Sequence, residues 1–146
     1  MENKPRILLV QGDGVRANTL STVLKTNGYD VGVAWDSEDA IAYLQKRPVE
    51  LVFIESKMLL TDGVEIYERI NEIRPEVEIV VMRDSLSTDD SLKDIEGRSL
   101  WGPLRRPFTI DKLLAIIEDF ARFRTAALVI PAFIQHFSHV PDQKAA

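Results

Sequence analysis

The chain alternates short, continuous apolar runs with longer stretches in which apolar residues recur every three to four positions. A run of four or five apolar residues bounded by turn formers reads as a strand buried on both faces, and the longer spacing reads as an amphipathic helix. Ile7 to Val10, ended by Gln11-Gly12-Asp13-Gly14, predicts the first strand. Val15 to Asn27 predicts a helix with Leu20, Val23 and Leu24 inward, stopped at Gly28. Asp30 to Ala34 is a second strand, and Asp36-Ser37 caps a helix through about Gln45 that turns Ala40, Ile41 and Leu44 inward. Leu51 to Ile54 is a third strand, ending at Glu55. Asp62-Gly63 opens a helix to about Ile73, which Pro75 closes. Val77 to Met82 is a fourth strand, and Ser87 or Thr88 caps a weaker helix ending by Gly97. Leu100 to Leu104 predicts a fifth strand. It contains Gly102 and Pro103, and a proline donates nothing to the ladder, so this strand belongs at the sheet's edge. Thr109 then caps a strongly amphipathic helix carrying Leu113, Leu114, Ile116, Ile117 and Phe120.

Five apolar strands alternating with helices imply a parallel sheet covered on both faces. Right-handed crossovers give an α/β, doubly wound five-stranded domain with the flavodoxin-like strand order 2-1-3-4-5. In such sheets ligands gather at the carboxyl ends of the strands. Three loops are marked out: Gln11 to Gly14, Glu55 to Leu60, and Arg83 to Ser87.

A length of 146 residues fits one domain, here residues 1–124, followed by an extension over 125–146. That extension is apolar beyond what a solvated tail carries: Ala126 to Ile130, then Phe133, Ile134, Phe137 and Val140. Pro131 is placed to start a short helix with Phe133 and Phe137 on one face. The extension either folds back on the domain or offers a surface to a partner or a second copy. A homodimer through the preceding helix and this segment is the preferred arrangement. Hydrophobic residues at 45% and charged residues at 28% are ordinary globular values. The formal net charge of -5 argues against a nonspecific grip on nucleic acid or anionic lipid. The absence of cysteine removes thiol catalysis and thiolate metal sites and agrees with a cytoplasmic address. The N-terminus lacks the apolar run of a signal peptide, and no segment approaches the ~20 apolar residues of a membrane span.

Several local features resemble the receiver domain of two-component response regulators over roughly residues 5 to 121. Gly28-Tyr29 precedes the second strand, and Arg106-Pro107-Phe108 matches the basic-Pro-Phe turn after the fifth. The block Leu51-Val-Phe-Ile-Glu55-Ser-Lys-Met58-Leu-Leu-Thr-Asp62-Gly63-Val-Glu65 follows the family's third-strand pattern. The resemblance implies a signalling module that meets a histidine kinase or a downstream signalling protein.

The family's chemistry requires a phosphorylated aspartate on the third strand and two acidic residues after the first, which help to hold magnesium. It also requires a Ser/Thr after the fourth strand and a lysine before the proline. By the resemblance, these positions hold Glu55, Gln11 and Gly12, Arg83 and Arg106, with Asp13 displaced by one residue. Magnesium wants near-octahedral oxygen ligands, usually carboxylates. Without it, the charge that builds up in phosphoryl transfer loses its main stabiliser. The longer glutamate side chain also shifts the nucleophilic oxygen by about an ångström. The expectation is that Glu55 is not phosphorylated and no metal or other cofactor is held, so the chain is not an enzyme. Glu55, Arg83 and Arg106 are expected to form an ion cluster beside Gln11, Gly12, Asp13 and Pro107, freezing one conformation. The expected partner surface takes in Trp101, Leu104, Phe133 and Phe137. The alternatives are a receiver that still accepts a phosphoryl group by an unusual route and a small nucleotide- or flavin-binding protein of the same fold.

Gly12-Asp-Gly14-Val-Arg-Ala17 fits G-x-G-x-x-A between a strand and a helix, with Asp36 near the end of the second strand. A tight turn that needs glycines is several times the commoner meaning of such a stretch. His136 and His139, spaced i, i+3, are placed to bind a metal with Asp142, but a solvated pair is the commoner outcome. The six basic against three acidic residues between Arg98 and Arg124 read as a solvated helix face.

Overall fold

The computed structural model describes residues 4–62, 65–84 and 91–136, with side chains over 4–59, 65–84 and 91–124. Five strands form one parallel sheet: β1 (Ile7–Val10), β2 (Val31–Ala34), β3 (Leu51–Glu55), β4 (Glu78–Arg83) and β5 (Leu104–Arg105). Their order is β2-β1-β3-β4-β5, as the doubly wound reading requires. The helices are α1 (Gly14–Thr26), α2 (Ser37–Lys46), α3 (Ser56–Asp62), α4 (Glu65–Ile73), α5 (Lys93–Glu96) and α6 (Ile110–His136).

The strands are short and apolar because both faces of the sheet are covered. Alternate side chains enter two separate cores. Leu8, Val10, Val52, Ile54, Ile79 and Val81 pack under α2, α3, α4 and α5. Ile7, Leu9, Leu51, Phe53, Val80 and Met82 pack under α1 and α6, meeting Leu20, Leu24, Leu113, Ile117 and Phe120. The central strand is buried along its whole length, and Phe53 is its largest fully buried side chain.

Local signals set most element ends. Asp13 caps α1 by accepting from the backbone N–H groups of Val15 and Arg16. Gly28, at φ 89°, takes the left-handed turn that leads into β2. Asp36 caps α2 through the Asp39 N–H at 2.8 Å, and the Thr109 hydroxyl accepts from Lys112 N–H at 3.0 Å to start α6. Gly32 lies beneath the Tyr43 ring, which occupies the space a Cβ would need.

Several expectations need correction. Glu55 is followed directly by α3, not by a loop, because Met58 and Leu59 at helical spacing bury themselves against the sheet. The helix expected from Asp62-Gly63 to about Ile73 is described as α4 over Glu65–Ile73, and Gly63 lies outside the described residues. The fifth strand is only Leu104–Arg105, since Gly102 and Pro103 make no ladder; it does form the edge, paired with β4. Pro131 does not start a helix, because α6 already runs continuously from Ile110 to His136. The proline forgoes one backbone bond within it. The expected boundary at residues 124 and 125 therefore falls inside α6, and Phe137, His139 and Asp142 lie outside the described residues. No helix of the described residues is long and apolar enough to cross a membrane.

Phe53→Ala should cost about 3–5 kcal/mol in urea unfolding, the usual loss when a large buried side chain leaves a cavity. A loss below about 1 kcal/mol would mean that β3 is not at the centre of the packing.

Candidate functional site

The carboxyl ends of β1, β3, β4 and β5 meet on one edge of the sheet. In register, Val10 lies beside Ile54, Glu55 beside Met82, and Arg83 beside Arg105. Gln11 extends the β1 ladder by donating its backbone N–H to Ala34 O at 3.0 Å. Arg106 extends β5 by donating to Arg83 O at 2.8 Å, and the following peptide bond to Pro107 is cis. Backbone pairing thus carries Gln11, Glu55 and Arg106 into one cluster before any side chain is considered.

Glu55 is 5% exposed. A carboxylate removed from water to that extent needs compensating charge or hydrogen bonds. Three donors converge on its Oε2. Gln11 Nε2 lies at 3.5 Å, Arg16 Nη1 at 3.5 Å and Arg106 Nη2 at 3.4 Å. These distances sit at the long end for hydrogen bonds, and Arg106 Nη2 lacks the alignment of one, so charge carries more of the attraction than directed bonding. Arg106 is the more sheltered cation and Arg16, 44% exposed, the more screened. Gln11 is fully buried. It presents a neutral donor to Glu55, and its Oε1 has no hydrogen-bond partner among the described residues.

Arg83 was expected in this cluster, but its Nη1 turns to Glu96 of α5, contacting both carboxylate oxygens at 2.9 and 2.8 Å. Arg83 and Glu96 are 4% and 5% exposed. A buried cation takes the nearest carboxylate that shares its burial, and α5 supplies one. The pair fastens α5 to the end of β4.

Asp13 is exposed and spends its carboxylate on the cap of α1. The Arg16 backbone N–H holds its pKa below the ordinary aspartate value, helped by the Val15 N–H and by the charges of Arg16 and Lys57. Gly12, also exposed, has open space where a side chain would stand. An open cleft of about 550 Å³ lies beside the cluster, lined by Gly12, Asp13, Arg16, Trp35, Asp36, Glu55, Lys57 and Met58. Pro107 is exposed at the other margin. Of the expected partner surface, Trp101 is half-buried, edge-on to Phe120 and Phe123, and donates its indole N–H to Asp119 at 2.8 Å. Leu104, 1% exposed, is core and cannot face a partner, because β5 turns it toward α6. Phe133 lies on α6 beyond the described side chains.

A family model described as the response regulator receiver domain matches residues 7–118. The chain belongs to the response regulator receiver family. It is similar to the transcriptional regulatory protein ZraR of Salmonella typhimurium, 25% identical over 133 residues, which are 90% of this chain and 30% of that one. It is similar also to the transcriptional regulatory protein DltR of Streptococcus agalactiae, 26% identical over 125 residues, covering 85% of this chain and 54% of the relative. The receiver thus spans about half or less of the curated relatives it matches. A CheY-like receiver domain from Methanospirillum hungatei shares the fold at a TM-score of 0.72 and 20% identity, with 84% of this chain and 98% of that one covered.

Receivers hold magnesium at this edge, and the residues present in this receiver do not fit that ion. Gly12 offers no ligand, Gln11 turns its amide N–H toward Glu55, and Asp13 faces its own helix. No group of three His, Cys, Asp or Glu residues suited to a metal occurs among the described residues. Sequence reasoning missed Arg16 and Glu96. The signal for Arg16 was its place three residues after the cap Asp13, which keeps both on the first turn. Glu96, in a short helix, carried no such signal.

Glu96→Ala should cost about 3 kcal/mol in chemical unfolding, because it removes a buried carboxylate from the buried Arg83 guanidinium. The double variant Arg83→Met/Glu96→Leu should recover most of that loss. If Glu96→Ala is neutral, the pair does not hold α5 in place.

Proposed function

We propose that this receiver signals without being phosphorylated and carries out no chemistry of its own. The reading rests on the three donors that converge on Glu55 Oε2. They occupy the oxygen that would have to attack a phosphoryl group, and the residues around it do not suit the magnesium ion that would neutralise the transferring charge. The buried Arg83–Glu96 pair supports the same reading from the other side. It ties β4 to α5, so a single arrangement of that edge is favoured.

The output is contact with a protein, either a histidine kinase or a downstream signalling protein. Leu100, 74% exposed, and Phe123, 52% exposed, flank Trp101 and form an apolar surface on the β5 and α6 side. The apolar sequence of the last part of α6 and of the residues after it continues this character and supports self-association there.

Incubation with acetyl phosphate and magnesium, read by intact mass, should leave the protein unmodified under conditions that phosphorylate an ordinary receiver. A labile phosphate adduct that disappears in Glu55→Gln would establish the other reading, a receiver still phosphorylated by an unusual route.

A further inference from the structure

Glu55 and Asp13 face one cleft with no magnesium-binding donor set, so something else must balance their charge. We infer that the Arg16 guanidinium is the resident cation of this site, standing where a receiver would hold a divalent ion. Arg16 occupies the first turn of α1 and spans the two carboxylates. Its Nη1 lies 3.5 Å from Glu55 Oε2 and its Nε lies 3.8 Å from Asp13 Oδ2. The cap fixes the direction from which it comes: Asp13 accepts from the Arg16 backbone N–H at 3.2 Å, so the residue that supplies the cation is anchored by one of the carboxylates it serves. Gln11 completes the exchange by offering Glu55 a neutral donor in place of a second acid.

A tethered guanidinium differs from an exchangeable ion in two ways. It is always charged, and its attachment to α1 keeps it beside the two carboxylates. Occupancy of this site is therefore constant, independent of the cation supply. The inference stands apart from the reading of partner contact. It concerns which cation fills the cleft and holds whether or not the protein is ever phosphorylated.

Gly12 makes the test practicable, because a side chain added there meets nothing within 4 Å. Thermal unfolding would be followed in rising magnesium chloride against matched ionic strength in calcium-free sodium chloride, for the native chain, Gly12→Asp, and Gly12→Asp/Arg16→Met. The native chain and Gly12→Asp should show no saturable response, since Arg16 still fills the place. The double variant should gain a saturable rise in Tm, about 5 °C at tenfold over the half-saturating concentration. Fluorescence in a Trp101→Phe background gives an independent reading, because Trp35, then the only tryptophan, lines the same cleft. A saturable magnesium response in the native chain would overturn the assignment. So would a response in Gly12→Asp equal to that of the double variant, and so would a folded double variant that stays silent. If the double variant does not fold, the Gly12→Asp arm decides: silence supports the assignment and a response refutes it.

Discussion

A carboxylate buried at the end of the central strand has to be balanced by the groups around it. Glu55 is fixed there by β3, which is buried along its length and paired on both sides. Its position is therefore not negotiable, and its surroundings have to supply the compensation. They do so from three directions: Gln11 from the end of β1, Arg16 from the first turn of α1, and Arg106 from the turn after β5. Each donor belongs to a different element, so the cluster also ties those elements together at the edge of the sheet. The contacts are long, and their value lies in charge and in number rather than in any single bond.

The second buried charge follows the same logic with a different outcome. Arg83 ends β4 beside the same edge, yet its guanidinium reaches Glu96 and fixes the short α5. Two buried charges of opposite sign would otherwise each lower stability, and pairing them removes much of that cost. The position thereby becomes a fastening between strand and helix, and this is why the proposed function depends on one conformation instead of two.

The alternation of strands and helices was legible because strands covered on both faces are continuous apolar runs, as in Ile7–Val10 and Leu51–Ile54. Caps at Asp13, Asp36 and Thr109, and the glycine at 28, marked the helix ends by local chemistry that needs no tertiary context. The helix directly after Glu55 was not legible, because Met58 and Leu59 become helical by packing on a sheet that the local sequence does not contain. The site was legible as a set of positions but not as a set of partners. Arg83 and Arg106 both lie at strand ends, and spacing alone does not say which carboxylate each will take. Glu96 decided the matter for Arg83 from an element with weak propensity signals. Leu104 was placed on the partner surface with the rest of the fifth strand, whereas its side chain turns inward under α6.

The central claim is that the Glu55 site is closed to a phosphoryl group because its charge is already balanced from within. Amide NMR spectra of the protein with magnesium and beryllofluoride, which imitates a phosphoryl group on a carboxylate, test it most directly. The account predicts no saturable shift at the amides of Gln11, Glu55, Arg83 and Arg106 or at the Trp101 indole. Saturable shifts at Glu55 that spread to Arg83 and Trp101 would contradict it.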